Sequence, residues 1–288
     1  MAIILMAVAG ILTALSNLCM RLSMDTSGSS RAFMVLQLLF TFIVVTILFP
    51  FRSGIYHWNP VMIALAILGG IALGLMKVAV GKAVEKGPSG LVFAVVNCAC
   101  IIPSIFVFTF LSNVIDCTYT LWNALGSMIV LCGLIWAGRS DASDSSSVKN
   151  WVFFALAAFL LHVFYLISTE LRLYLMGIGY LDTQWFVPGV FVAATTMHLC
   201  IFMIKEQESP STEVLSLGTL GGIFNGVCTY FFVIATEVAT PWEQPMIFPV
   251  FSVALIAACN IWSQYLYKEK VNWYANAACL AGLALGTI

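Results

Sequence analysis

Charge is what this chain has least of. Only 9% of its 288 residues are Asp, Glu, Lys or Arg, against roughly 25% in soluble domains. Hydrophobic residues make up 61%, and mean hydropathy is +1.02. That shortage excludes a water-facing surface and makes lipid the outer solvent. Basic blocks are missing as well: 12 Lys and Arg stand against 13 Asp and Glu, which excludes nucleic acid as a partner. The nine cysteines form no metal-binding pattern. Cys98 and Cys100 would point to different faces of a helix, and no His partner stands at zinc-finger spacing. They read as small core hydrophobes, so neither a metal nor a cofactor is expected. His-Glu-x-x-His, Gly-x-Ser-x-Gly and the phosphate-cradling Gly-x-x-x-x-Gly-Lys-Ser/Thr are all missing. The machinery of a hydrolase or an ATP-driven pump is therefore absent, and the chain is not expected to be an enzyme.

Long apolar runs are what the chain does have. They lie near 2–20, 33–50, 61–81, 89–111, 118–137, 151–171, 184–204, 214–236, 244–266 and 272–288, most close to the roughly 20 residues that a bilayer-crossing helix needs. Polar punctuation separates them: Asp25 to Ser30, Trp58-Asn59-Pro60, Lys86-Gly87-Pro88 and the serine-rich stretch from Arg139 to Asn150. The runs are unbroken and show no period-two alternation, so they predict helices and not a membrane barrel. The first has no basic leader and no small-residue cleavage site, and reads as a retained helix.

An internal repeat organises these runs. Leu68 to Gly74 (LGGIALG) recurs as Leu220 to Gly226 (LGGIFNG), an offset of 152, and Glu85 falls on Glu237. At 153, Pro88 falls on Pro241, Asp116 on Glu269, Asn123 on Asn276 and Gly133 on Gly286. The expected fold is thus an all-α integral membrane protein of ten transmembrane helices in two five-helix repeats, 1–137 and 151–288, joined by a polar loop over 138–150. An odd number of helices per repeat makes the halves inverted copies, a device of secondary transporters. Gly70-x-x-x-Gly74 and Gly222-x-x-x-Gly226 predict faces where two helix backbones approach closely.

The passage from Ala83 to Pro88 leading to Pro103, Arg31 opening helix two, and the closing turns leading to Gly133 and, through Lys268-Glu269-Lys270, to Gly286 carry a resemblance. In these the chain resembles the drug/metabolite transporter superfamily, in its EamA-like branch. The resemblance implies a multi-pass protein of the cell (inner) membrane with cytoplasmic termini. It also implies a central cavity among helices one, three, four, six, eight and nine.

Polar groups inside spans are costly and normally face a cavity or a partner helix. Lys77 could neutralise an anionic group, although a snorkelling role would suit it equally. In helix six, His162, Tyr165 and Thr169 share a face, with Glu170 one residue on. His162 and Glu170 are candidate coupling groups, because a histidine titrates near neutral pH; packing against a neighbouring helix is the plainer role. Asn17, Asn97, Asn225, Tyr230 and Asn260 complete the candidate substrate-binding set. Trp262 joins them as one wall, with Tyr230, of an aromatic cage for a cation. Gln37 and His198 are expected to lie outside the cavity.

These readings predict alternating-access transport of a small polar or amphipathic metabolite: an amino acid, a nucleoside-like solute or an organic cation. A membrane-embedded enzyme acting on lipids would need convergent acids, bases or metal ligands, and none is found. A receptor or scaffold would leave the duplicated halves without purpose. The expected partners are the bilayer and a small-molecule substrate, with a homodimer left open. Loops after odd-numbered helices hold nine basic residues and loops after even-numbered ones hold two, Arg52 and Arg172. By the positive-inside rule this puts the N-terminus outside, the reverse of what the resemblance implies.

Overall fold

The computed structural model describes residues 1–26, 29–54, 59–86, 92, 95–96, 98–111, 119–138, 148–177, 184–205, 210–268 and 271–286, with the side chains of 30, 84–86, 101, 134, 137–138 and 148–150 left aside. These residues form ten helices and no strand. In chain order they are α1 (Ala2–Asp25), α2 (Ser30–Thr46, continued by a wide turn at Ile47–Phe51), α3 (Pro60–Lys86), α4 (Cys98–Ile101, Ile102–Phe106 and Val107–Leu111), α5 (Leu121–Gly138), α6 (Val148–Gly177), α7 (Phe186–Lys205), α8 (Thr212–Val238), α9 (Ile247–Tyr267) and α10 (Trp273–Gly286). Seven of them, α1, α2, α3, α6, α7, α8 and α9, are long and apolar enough to cross a membrane. The chain has the helices of a multi-pass membrane protein. Of the ten expected spans, α4, α5 and α10 are the shorter ones among the described residues.

The helix boundaries follow from short polar signals. Ser29 caps α2 by accepting from the Arg31 and Ala32 amides, and Asn59 accepts from Val61 just ahead of the Pro60 start of α3. Thr120 and Asn123 cap each other at α5, as Asn272 caps Ala275 at α10. Pro50 lacks an N–H and would clash with the carbonyl four residues back, so α2 widens into a π-type turn around it. In α4, Pro103 sits where a tight 3₁₀ stretch passes into α-helix, a place that tolerates it. Left-handed Lys268 ends α9.

One boundary corrects the sequence reading. The apolar run in helix six stops at 171 because Glu170 and Arg172 follow each other closely, but α6, 30 residues long in all, continues to Gly177. Arg172 therefore belongs to the helix and not to a loop, and it is buried.

The glycine faces meet partner helices as expected. A Cβ on Gly70 of α3 would strike the Val190 carbonyl oxygen and, at 2.7 Å, the Ala193 Cβ, both on α7. A Cβ on Gly222 of α8 would meet the Gln37 carbonyl oxygen at 2.7 Å and Phe40 Cβ at 2.6 Å, both on α2. One turn on, Gly74 lies against Met197 and Gly226 against Val44. The short helices α5 and α10 pack on each other through Gly126 against Gly286, and Gly133 against Cys279. Around these seams α8 packs on α1 and α2, while α3 packs on α6 and α7. A hydrogen-bond chain ties α1, α2 and α8: Gln37 donates to Ser16 (2.7 Å), Ser16 to the Gly221 carbonyl (2.7 Å), and Asn225 to Thr41 (3.0 Å).

Candidate functional site

A cavity of about 150 Å³ lies inside the bundle. α3 lines it with Leu73, Met76, Lys77 and Val80, and α8 with Asn225, Cys228, Thr229 and Phe232. α1 contributes Thr13, Asn17 and Met20, α6 contributes His162, Tyr165 and Leu166, and α9 contributes Phe251 and Leu255. Met34, Val96 and Phe191 complete the wall. Each helix offers residues three or four apart, the spacing that keeps side chains on one face.

Five of the expected site residues come together here: Asn17, Lys77, His162, Tyr165 and Asn225. Asn97 lies outside the described residues. Three others are elsewhere. Tyr230 packs against Phe49 and accepts a hydrogen bond from Arg52. Asn260 donates to Asn276 of α10 at 3.1 Å, and Trp262 stacks edge-on with Tyr267 next to the Arg21 guanidinium. The aromatic cage expected from Tyr230 and Trp262 is thus not formed, because each ring already faces an arginine. Gln37 and His198 lie outside the cavity lining, as expected: His198 bonds the Gly74 carbonyl at 3.1 Å.

Hydrogen bonding orients the polar lining. His162 Nδ1 lies 2.9 Å from the Val96 carbonyl oxygen, so that nitrogen carries a proton, and in the neutral ring Nε2 is then the acceptor. Thr13 and Thr229 donate to carbonyls four residues back, Ala9 and Asn225. Thr229 keeps its oxygen lone pairs as acceptors, whereas Thr13 Oγ1 lies 2.9 Å from Cys228 Sγ and is met by that thiol. Lys77 is the one charged residue of the lining among the described residues.

Glu170, the second coupling candidate, is buried but outside the cavity lining. It belongs to a polar cluster further along α6 and α8. Arg172 donates to Glu237 at 2.6 Å, and Gln244 approaches Glu170 at 3.5 Å. Ser104 of α4 donates to the Gln244 carbonyl (3.4 Å), and the Met1 amine pairs with Glu243 at 2.8 Å. Burial would raise the Glu243 carboxyl, but bonds from the Met1 amine and from Thr240 outweigh it and hold it down at about 2. The cluster joins the end of α6, the end of α8, α4 and the start of α1. Sequence reading missed the Arg172–Glu237 pair, although Glu237 was visible as the repeat of Glu85. It also missed Thr13 and Thr229, which stand four residues from Asn17 and Asn225.

No family model and no curated protein matches the chain. Among solved structures, one described only as the crystal structure of a protein is similar at a TM-score of 0.71 and 16% identity, over 99% of this chain and 94% of its own. At that identity the likeness is one of fold.

Proposed function

We propose that the protein is a secondary transporter of the drug/metabolite type, moving a small polar or amphipathic solute across the cell membrane by alternating access. One observation carries this reading. Adding 152 to the α3 lining positions Leu73, Met76, Lys77 and Val80 gives the α8 lining positions Asn225, Cys228, Thr229 and Phe232, and adding it to Thr13 of α1 gives Tyr165 of α6. A cavity lined by repeat-related positions is what an axis relating two inverted halves would produce. On such an axis two inverted bundles rocking against each other would expose a site alternately.

The packing supports the same axis. Gly70 against Val190 corresponds to Gly222 against Gln37, and Gly126 against Gly286 corresponds to Cys279 against Gly133, all at offsets of 152 or 153. Exchange of the halves maps these contacts onto each other. Uptake of labelled solutes into proteoliposomes, measured beside turnover of added lipid, tests the reading. Solute-specific flux that is lost on filling the cavity with Asn225→Trp is expected; lipid turnover without flux would overturn it.

A further inference from the structure

We propose that the cavity takes a small organic monoanion that also carries hydrogen-bond donors, with Lys77 as its counter-ion. This rests on the transport reading above and narrows its substrate class.

The two halves supply different chemistry at equivalent places. Lys77 of α3 has Thr229 as its repeat counterpart in α8, and Leu73 has Asn225. One wall is therefore cationic and otherwise apolar, and the facing wall is neutral and polar. Among the described residues the Lys77 ammonium has no hydrogen bond and no ion pair, and no carboxylate lines the cavity. A charge on the wall of a partly buried cavity inside an apolar bundle is stabilised by a partner, and the lining provides none. An anionic solute would satisfy the ammonium. An organic cation would meet like charge with no acid to offset it, and a zwitterion's ammonium would find only neutral acceptors.

The remaining polar atoms select the rest of the molecule. Thr229 spends its proton on its own helix and His162 spends its Nδ1 proton on Val96, while Thr13 is engaged by the Ala9 carbonyl and the Cys228 thiol. What Thr229 and His162 present is acceptor lone pairs, which pair with hydroxyl or amide protons of a solute. Met76, Val80, Phe232 and Leu255 leave room for an apolar part.

The test uses the full chain in proteoliposomes and in detergent. The probes are labelled lactate, gluconate and benzoate, their neutral counterparts lactamide, glucose and benzamide, and tetraethylammonium. At least one monoanion is expected to raise the thermal midpoint and to enter at least about tenfold faster than its neutral counterpart. Lys77→Met should abolish that preference without lowering the unliganded midpoint, and Lys77→Arg should retain part of the preference. A wild type that prefers glucose or tetraethylammonium overturns the inference and leaves transport standing. So does monoanion entry unchanged in Lys77→Met. Failure of all three monoanions to bind or enter also overturns it, and lipid turnover without any flux removes the transport reading itself.

Discussion

At the scale of single residues, the lining shows which polar side chains announce themselves. Lys77, Asn17, Asn225 and His162 stand out in apolar runs because each would be costly in hydrocarbon. Thr13 and Thr229 carry no such signal, since a threonine satisfies itself on the carbonyl four residues back. Tyr230, Asn260 and Trp262 were equally conspicuous, yet their helices turn them toward Arg52, Asn276 and Arg21. Helix rotation is set by neighbours, and no spacing within one run reveals it. Thr229→Val tests the acceptor role. It preserves shape and removes the hydroxyl, both its bond to the Asn225 carbonyl within α8 and the lone pairs facing the cavity. The half-saturating concentration of gluconate should therefore rise several-fold, for a bond of about 1 kcal/mol. Benzoate, with no hydroxyl, should be unaffected. Equal effects on the two would show that Thr229 fills space and does not bind hydroxyls.

At the scale of elements, the glycine seams and the polar cluster make separate demands. The seams were legible because Gly-x-x-x-Gly recurs at a fixed offset, and the reason is steric. A Cβ at Gly222 would lie 2.7 Å from the Gln37 carbonyl oxygen, a backbone atom that cannot step aside. Gly222→Leu and Gly70→Leu should each lower stability by about 1–3 kcal/mol or more, from overpacking, seen as an earlier thermal transition. Gly81 sits on the same helix as Gly70 with nothing near its missing Cβ, so Gly81→Ala should hold or slightly raise that transition. The cluster was hidden because charged residues normally end a span, whereas Arg172 is buried in α6 and reaches the partly exposed Glu237 at the end of α8. Met20, the repeat counterpart of Arg172, lines the cavity instead. The two ends of the site are thus chemically unequal: an ion pair binds α6 to α8 at one, and a thioether stands at the other. Glu237→Gln leaves Arg172 buried without its counter-ion, a loss of roughly 3–5 kcal/mol for a fully buried pair and less here, since Glu237 is 26% exposed. Opening of that end should follow. A cysteine placed at Thr229 should react faster with a reagent added from the cluster side in Glu237→Gln than in the otherwise unchanged protein, and equal rates would separate the pair from closure.

For the whole molecule, the transport reading raises the question of which face is cytoplasmic. The structure changes the arithmetic that the sequence offered. Arg172 is buried in α6 and drops out of the loops after even-numbered helices, leaving Arg52 there. On the other side, Arg31 sits in the first turn of α2, Lys205 closes α7 and Lys268 follows α9. The asymmetry therefore grows, and basic residues in short loops are held on the cytoplasmic side because translocating them is unfavourable. On this argument the ends of α1, α3, α7 and α9 are cytoplasmic, and the cluster of Arg172 and Glu237 faces out. The cavity, which reaches Met20 near the end of α1 and Met34 near the start of α2, then extends toward the cytoplasm. Thr26 and Ser53 are exposed just beyond α1 and α2, on opposite faces if α2 crosses the membrane. In a background with the natural cysteines replaced, Ser53→Cys should react with an impermeant maleimide added to intact cells, while Thr26→Cys reacts only after the cells are opened. The reverse pattern would place both termini in the cytoplasm, as the family resemblance implies, and would mean that the polar turns inherited by both halves, and not topology, set the distribution of basic residues.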